Sequence, residues 1–202
     1  MANTRFDLIK VRALESMYRN GYENMTLRQL ARDVGIQTPS LYNYISSKQE
    51  LLYLLMKSIM EELIAETRQA MSSDDLPAEE RLRRAVWAFA RYNAAHPHEA
   101  AVSDAEFRAL TPENRVRIVQ LRDEFQSLYL PLIHEAMASG GFVPSDPRVI
   151  TNTILSACAR IYVWYRADGP CNPEDLADIV SAYLMRGLTR MPEDSSKTMV
   201  RR

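Results

Sequence analysis

The chain has 202 residues, a net charge of −1, 25% charged and 47% hydrophobic side chains, figures that exclude disorder and collagen. Lys57, Glu61 and Glu62 interrupt its richest apolar stretch, Leu51–Leu63, well short of the roughly 18 uninterrupted residues a membrane span needs. Residues 1–52 carry seven basic side chains against five acidic ones, so a +2 end precedes a −3 remainder, a balance suited to an anionic partner at the N-terminal end. The opening Met1–Asp7 has neither an apolar core nor a small-residue cleavage site, so a cytoplasmic location is expected. Cys158 and Cys171 have neither metal-ligand nor redox spacing and are expected to be reduced.

Only six glycines occur, and apolar residues recur three and four positions apart, the helical period. In chain order the predicted helices cover 4–19, 26–33, 37–44, 48–72, 77–95, 99–109, 112–139, 147–167 and 173–190, nine in an all-α fold. Thr111, Asp146 and Asn172 each precede a proline, a pairing that caps a helix and fixes its first φ. Gly21, Gly35, Gly140-Gly141 and Gly169 supply the stops. The first three helices are short and the later ones long and amphipathic, which divides the chain into 1–47, 48–192 and a polar tail, 193–202, expected to fray.

Thr26 caps the second helix, Leu27, Leu30, Ala31 and Val34 form its apolar stripe, and Gly35 turns the chain into the third. There Ile36, Leu41 and Ile45 face Phe6, Ile9, Ala13 and Met17, leaving Gln37, Thr38, Ser40, Tyr42, Asn43 and Tyr44 on the outer surface. Helix, glycine turn and polar-faced helix make a helix-turn-helix whose outer side chains match the donors and acceptors of a major groove. Simple local packing of short helices fits the same spacing. Ser47 and Glu50 form a Ser-x-x-Glu capping box, so the helix that begins at Lys48 offers free amides, a positive dipole end and a full charge to a phosphate.

The runs Thr26-Leu27-Arg28-Gln29-Leu30-Ala31-Arg32-Asp33-Val34-Gly35, Pro39-Ser40-Leu41-Tyr42-Asn43-Tyr44-Ile45 and Ser47-Lys48-Gln49-Glu50-Leu51-Leu52 resemble the DNA-binding domain of TetR-type transcriptional repressors over residues 6–52. The resemblance implies that Tyr42 and Lys48 hold phosphates, and that Arg28 and the Gln37–Asn43 helix, with Thr38, Pro39 and Ser40, meet base edges beside the Thr26 cap. Tyr44 stands where a histidine is frequent near the DNA backbone. It also implies a dimer on a double-stranded, pseudo-palindromic operator, released by a small-molecule effector held in residues 48–192.

In that second part, Val149, Ile150, Ile154, Cys158, Ile161 and Tyr165 share one stripe, and Leu176, Ile179, Val180, Tyr183 and Gly187 another. Two tandem apolar helices suit a four-helix interface in a homodimer, and burial within one subunit uses the same residues. Trp87, Phe89, Tyr92, Phe107, Phe125, Tyr129 and Met137 are candidates to line an effector cavity or to be plain core. Arg160 and Trp164, four apart, can grip an anionic or planar ligand; a surface cation–π pair or an interface contact fits them equally. Asp104–Leu110, Gly140–Asp146 and Trp164–Gly169 resemble the TetR branch that includes acyl-CoA-responsive repressors of fatty-acid, aromatic-acid and steroid catabolism, so an acyl-CoA effector is expected ahead of a drug-like one.

Enzyme motifs are missing. His96, His98 and His134 belong to no His-Glu-x-x-His or Glu-x-x-His run, and neither a phosphate loop nor a nucleophile elbow occurs, so neither a metal nor another cofactor is predicted. His96 and His98 with Glu99 read as a metal site or, more simply, a solvated loop. The enzyme alternative is a small helical lyase or hydrolase using His134 with Glu135 or Asp123, which salt-dependent retardation of palindromic DNA would exclude.

Overall fold

Side-chain caps set the helix starts. Thr26, Ser47, Thr111, Asp146 and Asn172 accept backbone N–H groups from Gln29, Glu50, Asn114, Arg148 and Asp175 at 3.2, 3.0, 3.3, 2.8 and 2.8 Å. They open α2 (Leu27–Asp33), α4 (Lys48–Ala70), α7 (Pro112–Ser127), α9 (Pro147–Ala159) and α11 (Pro173–Leu188). The remaining helices are α1 (Thr4–Asn24), α3 (Thr38–Leu41), α5 (Ala78–Ala95), α6 (Pro97–Ala105), α8 (Leu130–Ala138) and α10 (Ile161–Trp164), with a 3₁₀ turn at Phe107–Ala109. The computed structural model describes residues 4–73 and 75–189; the expected tail, 193–202, lies outside them. Among the described residues there are nine α-helices of seven residues or more and no strand, only an isolated bridge between Phe142 and Thr189.

Two expected helices are divided. The run 112–139 separates into α7 and α8 because Pro131 has no N–H and its ring collides with the carbonyl four residues back. Leu128 and Tyr129 bond instead to Phe125 and Gln126, three back, at 3.2 Å each. The run 147–167 breaks at Arg160 (φ −97, ψ 6). Arg160 and the Tyr162 hydroxyl both bond to Oδ2 of Asp104 on α6, at 2.5 and 2.7 Å. A regular helix points side chains two apart to opposite sides, and the break lets both reach the one acceptor. The run 99–109 starts earlier, at Pro97, and ends as the 3₁₀ turn. In place of 37–44, α3 has four α-helical residues, extended by three-back bonds from Tyr42, Asn43 and Tyr44. Gly21 (φ 77, ψ 158) interrupts α1 as a glycine stop should, and one further turn, 22–24, follows it.

Two apolar clusters result. One joins Ile9, Ala13, Met17, Leu30, Leu41 and Ile45 to Leu51–Met56 of α4, and takes in Val102, Leu110 and Ile118 from farther along the chain. The other runs from Ile59 and Leu63 of α4 through Leu82, Phe89, Phe125, Tyr129 and Ile154 to Met185. The single helix α4 therefore belongs to both cores.

The stripes of α9 and α11 divide between inside and outside. Ile150, Ile154, Cys158, Ile161 and Leu176 are buried within the chain, where α11 packs on α5. Val149 (59% exposed), Ile179 (61%) and Tyr183 (79%) face outward. Burial raises the Cys158 thiol pKa to about 12, so it acts as a small apolar side chain.

Candidate nucleic-acid interface

Between α2 and α3 the chain turns at Gly35, whose φ of 70 is left-handed, while Ile36 N–H returns to the Ala31 carbonyl at 2.9 Å. Leu30, Ala31 and Val34 on one side of the turn and Leu41 and Ile45 on the other are buried. Held from beneath, Gln37, Pro39, Ser40, Asn43 and Tyr42 stay exposed, as do Thr26 and Arg28 on the preceding segment; Thr38 is half-buried. Tyr44 is half-buried too, its ring lying parallel to Phe6 at 6.3 Å. Arg5 of α1 donates to the Val34 carbonyl at 3.0 Å and fixes the first helix across the end of α2.

The α4 start follows directly. Ser47 caps Glu50 N–H as expected, but the Glu50 carboxylate accepts from the Ser46 N–H rather than from that of Ser47. That backbone bond, with a second contribution from the Ser46 side chain, holds the Glu50 carboxyl below its usual range. Lys48 is half-buried: its Nζ donates to the Glu23 carbonyl at 3.1 Å and sits 4.2 Å from the centre of the Tyr22 ring. One of its three donors is thus engaged at the end of α1.

Residues that the sequence did not single out tie this region to the rest. Gln49 Nε2 donates to the Tyr22 hydroxyl at 2.8 Å and the Ala109 carbonyl at 2.6 Å, and its Oε1 accepts from Thr111 N–H at 3.1 Å. Glu106 accepts from Tyr22 N–H at 2.9 Å. Burial, outweighing the bond from Gln49, raises the Tyr22 phenol pKa. The strap 106–111 between α6 and α7 is therefore fastened to the end of α1 and the first turn of α4. No local pattern marks Gln49, because its partners lie 27, 60 and 62 residues away.

The aromatic and cationic candidates of the body do not meet in one cavity. Phe125 and Tyr129 are buried and pack edge to face at 5.5 Å, with Phe89 against Phe125 at 4.8 Å. Desolvation keeps the Tyr129 phenol protonated, and its hydroxyl reaches the Ala85 carbonyl at 3.4 Å. Trp87 lies in a separate open groove with Gln69, Arg83, Arg84 and Asp178, and the Arg91 guanidinium sits 5.8 Å from its ring. Phe107 occupies the strap, beneath the guanidinium of Arg122 at 4.1 Å. Arg160 is exposed and paired with Asp104, which also acts on Arg122, so Arg160 and Phe107 share a corner. Trp164, half exposed at 54%, follows the break at Arg160 and stands on the outer side.

The histidines are used differently. His96 stacks on Tyr92 at 4.5 Å and His98 on Tyr18 at 4.0 Å. His134, Glu135 and Asp123 are all exposed, and among the described residues no three metal-ligating side chains cluster. No helix of the described residues is long and apolar enough to cross a membrane.

A three-helix unit with a glycine turn and an exposed polar third helix, carried on a long helical body, defines a helix-turn-helix transcriptional regulator. Residues 9–53 match the family described as bacterial regulatory proteins, tetR family, and residues 75–188 the tetracyclin repressor-like C-terminal domain. The chain belongs to the TetR family of DNA-binding transcriptional repressors.

The regulator YhgD of Bacillus subtilis is 23% identical over 190 residues, 94% of this chain and 99% of that protein. The repressor KstR2 of Mycolicibacterium smegmatis is 23% identical over 195 residues, 96% and 94% of the two chains. Among solved structures, AibR in complex with isovaleryl coenzyme A and operator DNA superposes with a TM-score of 0.81 at 24% identity, covering 90% of this chain and 98% of AibR.

Proposed function

We propose that this repressor binds a pseudo-palindromic operator as a homodimer and is released by a small anionic effector, an acyl-CoA thioester. The observation that carries the operator reading is the exposure of Gln37, Pro39, Ser40, Tyr42 and Asn43 above a backbone pinned by buried Leu41 and Ile45. In this reading residues 1–47, with Lys48 at the start of α4, contact DNA and the rest of 48–192 holds the effector and the second subunit. Tyr42, Lys48 and the free amides of the α4 start take phosphates, whereas Arg28, Thr38, Ser40 and Asn43 read base edges. Tyr44 serves by stacking on Phe6, which orients the segment.

The outward Val149, Ile179 and Tyr183 support the dimer, because large apolar side chains this exposed on two tandem helices are ones that a second subunit can cover. A twofold pair then places its recognition segments about one helical turn of DNA apart, or a multiple of it. Isovaleryl coenzyme A in the complex of the similar AibR supports a thioester effector. The strap 106–111 gives the path: displacing it pulls on Gln49 and Tyr22 beside Lys48, and α4 transmits the shift to the operator face.

A hundredfold loss of operator affinity on effector binding corresponds to about 2.7 kcal/mol of coupling, and operator must weaken effector binding by the same factor. The test selects operator fragments from genomic DNA, then titrates the complex with acyl-CoAs, free acids and hydrophobic cations. Release by thioesters, with Arg160→Ala losing part of that response, is the expected result. Release by cations alone replaces the thioester with a drug-like effector, and failure to retard any palindromic fragment removes the operator reading.

A further inference from the structure

Arg115 and Arg122 stand seven residues apart, two helical turns, and so share a face of α7. The Phe107 ring lies against both, 5.9 Å from the guanidinium carbon of Arg115 and 4.1 Å from that of Arg122. Backbone carbonyls alone accept from them. Arg115 donates to Arg108 and Leu110 at 2.8 and 3.2 Å, and Arg122 to Ser103 at 3.1 Å. Neither makes an ion pair among the described residues. Asp104 acts on Arg122, yet it is bonded to Arg160 and to the Tyr162 hydroxyl. Desolvation outweighs its influence, and the Arg122 pKa falls below the ordinary guanidinium value.

Two polar atoms here are buried without a hydrogen-bond partner, Ser103 Oγ and Arg115 Nε. Ser103 is the residue whose carbonyl Arg122 holds, and Arg115 is the other cation on Phe107. Partly desolvated cations without a carboxylate, beside unpartnered donors, are costly unless something supplies the missing acceptor. We propose that this corner, Arg122 and Arg115 with Ser103 and Phe107, binds the anionic end of a small effector, a carboxylate or a phosphate. The assignment rests on the effector-release reading above and names the group that reading requires.

The chemistry matches. A guanidinium presents parallel N–H donors at the spacing of two carboxylate or phosphate oxygens, the Ser103 hydroxyl adds a donor, and Phe107 offers an apolar face to the adjoining carbon chain. An anion that takes over Arg122 competes with the Ser103 carbonyl and the Phe107 ring. Phe107 belongs to the strap that Glu106, Ala109 and Thr111 fasten to Tyr22 and Gln49. The site and the operator face are thus joined by one short segment.

Calorimetric titration of the DNA-free full-length protein with isovaleryl-CoA, coenzyme A, sodium isovalerate and the neutral isovaleramide tests this. At least one anion binds, isovaleramide does not, and Arg122→Met weakens the anion at least tenfold. Its melting temperature stays close to that of the parent, because an apolar chain keeps the packing on Phe107 while a partly desolvated cation that makes no ion pair is removed along with its bond to the Ser103 carbonyl. Binding of isovalerate assigns a carboxylate site, and binding of coenzyme A a phosphate site. Ser103→Ala, which removes only an unpartnered hydroxyl, weakens the same anion at least threefold and serves if Arg122→Met does not fold.

Binding of no anionic probe, or unchanged affinity in these variants, overturns the site. An anion that binds through Arg122 yet leaves the operator complex intact keeps the site and removes the release reading. Release by hydrophobic cations with no anion bound removes the site and leaves the repressor.

Discussion

Between Thr26 and Lys48 one continuous stretch exposes its polar side chains because Leu30, Ala31, Val34, Leu41 and Ile45 pin the backbone from below. The body works differently: Trp87, Phe107, Phe125, Tyr129, Arg160 and Trp164 come from separate elements and reach a buried core, an open groove, the strap and the outer surface. A surface that reads a regular polymer can be written in adjacent residues, since DNA supplies the repeating frame. In the body the same kinds of residue are dispersed, because each is placed by the packing of its own element.

Substitutions sharpen that contrast, beginning with the largest effect. Phe125→Ala removes a ring packed between Phe89 and Tyr129, and costs about 3–5 kcal/mol in urea unfolding. Tyr42→Ala on the exposed face changes stability by no more than about 0.5 kcal/mol while lowering operator affinity. Equal stability losses at the two positions would erase the distinction between the regions.

Gln49→Leu strips three hydrogen bonds from the junction between them and leaves partly buried partners unsatisfied, at about 1–3 kcal/mol. Effector-driven release falls about tenfold, and a stability loss without a change in release would locate the coupling elsewhere.

Lys48→Ala lowers affinity for every DNA sequence and reduces the salt slope of binding by about one unit. Because Lys48 is already on the Glu23 carbonyl, a slope that stays unchanged in fluorescence titrations would make it a tether of α1 and not a phosphate contact. Changes at Ser40 or Asn43 instead shift preference at single base pairs by about 1–3 kcal/mol.

The smallest effect lies at the far end of the body. Bonds from Arg83, then Arg84, outweigh desolvation and hold the Glu80 carboxyl at about 2. A depressed carboxyl stabilises the fold fully above its unfolded value of 4.5 and loses that contribution as pH falls toward 2. The ion pairs are about a third exposed, so the gain is less than about 1 kcal/mol. Melting curves of Glu80→Gln between pH 5 and 2 are therefore slightly flatter than those of the parent, within the roughly two-unit window the shift defines.

Local chemistry was legible where cause and effect sit within a few residues. The caps at Thr26, Ser47, Thr111, Asp146 and Asn172 and the left-handed turn at Gly35 follow from side chains beside them. The division at Pro131 was readable from the missing N–H, though the apolar period runs straight across it. The break at Arg160 was not: no proline or glycine marks it, and the Asp104 carboxylate that accepts from both Arg160 and Tyr162 there lies 56 residues before Arg160. The apolar stripes of α9 and α11 identified helices that bury something, but left open whether the other side was the same subunit or a second one. Tyr22, Gln49, Arg115 and Arg122 carry no local signature, since each is defined by partners that folding brings from afar.

The gap between α7 and α8 has a mechanical consequence. A continuous helix is a stiff rod that passes torsion along its length through its ladder of four-back bonds. Across Leu128 to Pro131 that ladder gives way to two three-back bonds and a residue with no donor, so torque applied to one half dissipates there as local bending. The α7 half rests mainly on α4, while the α8 half rests on α5 and α9. The bending is bounded on the α7 side, where Gln126 donates to Asn152 of α9 at 2.8 Å and Phe125 packs on Phe89 of α5, so the joint works as a hinge whose pin is held by the same helices that seat α8.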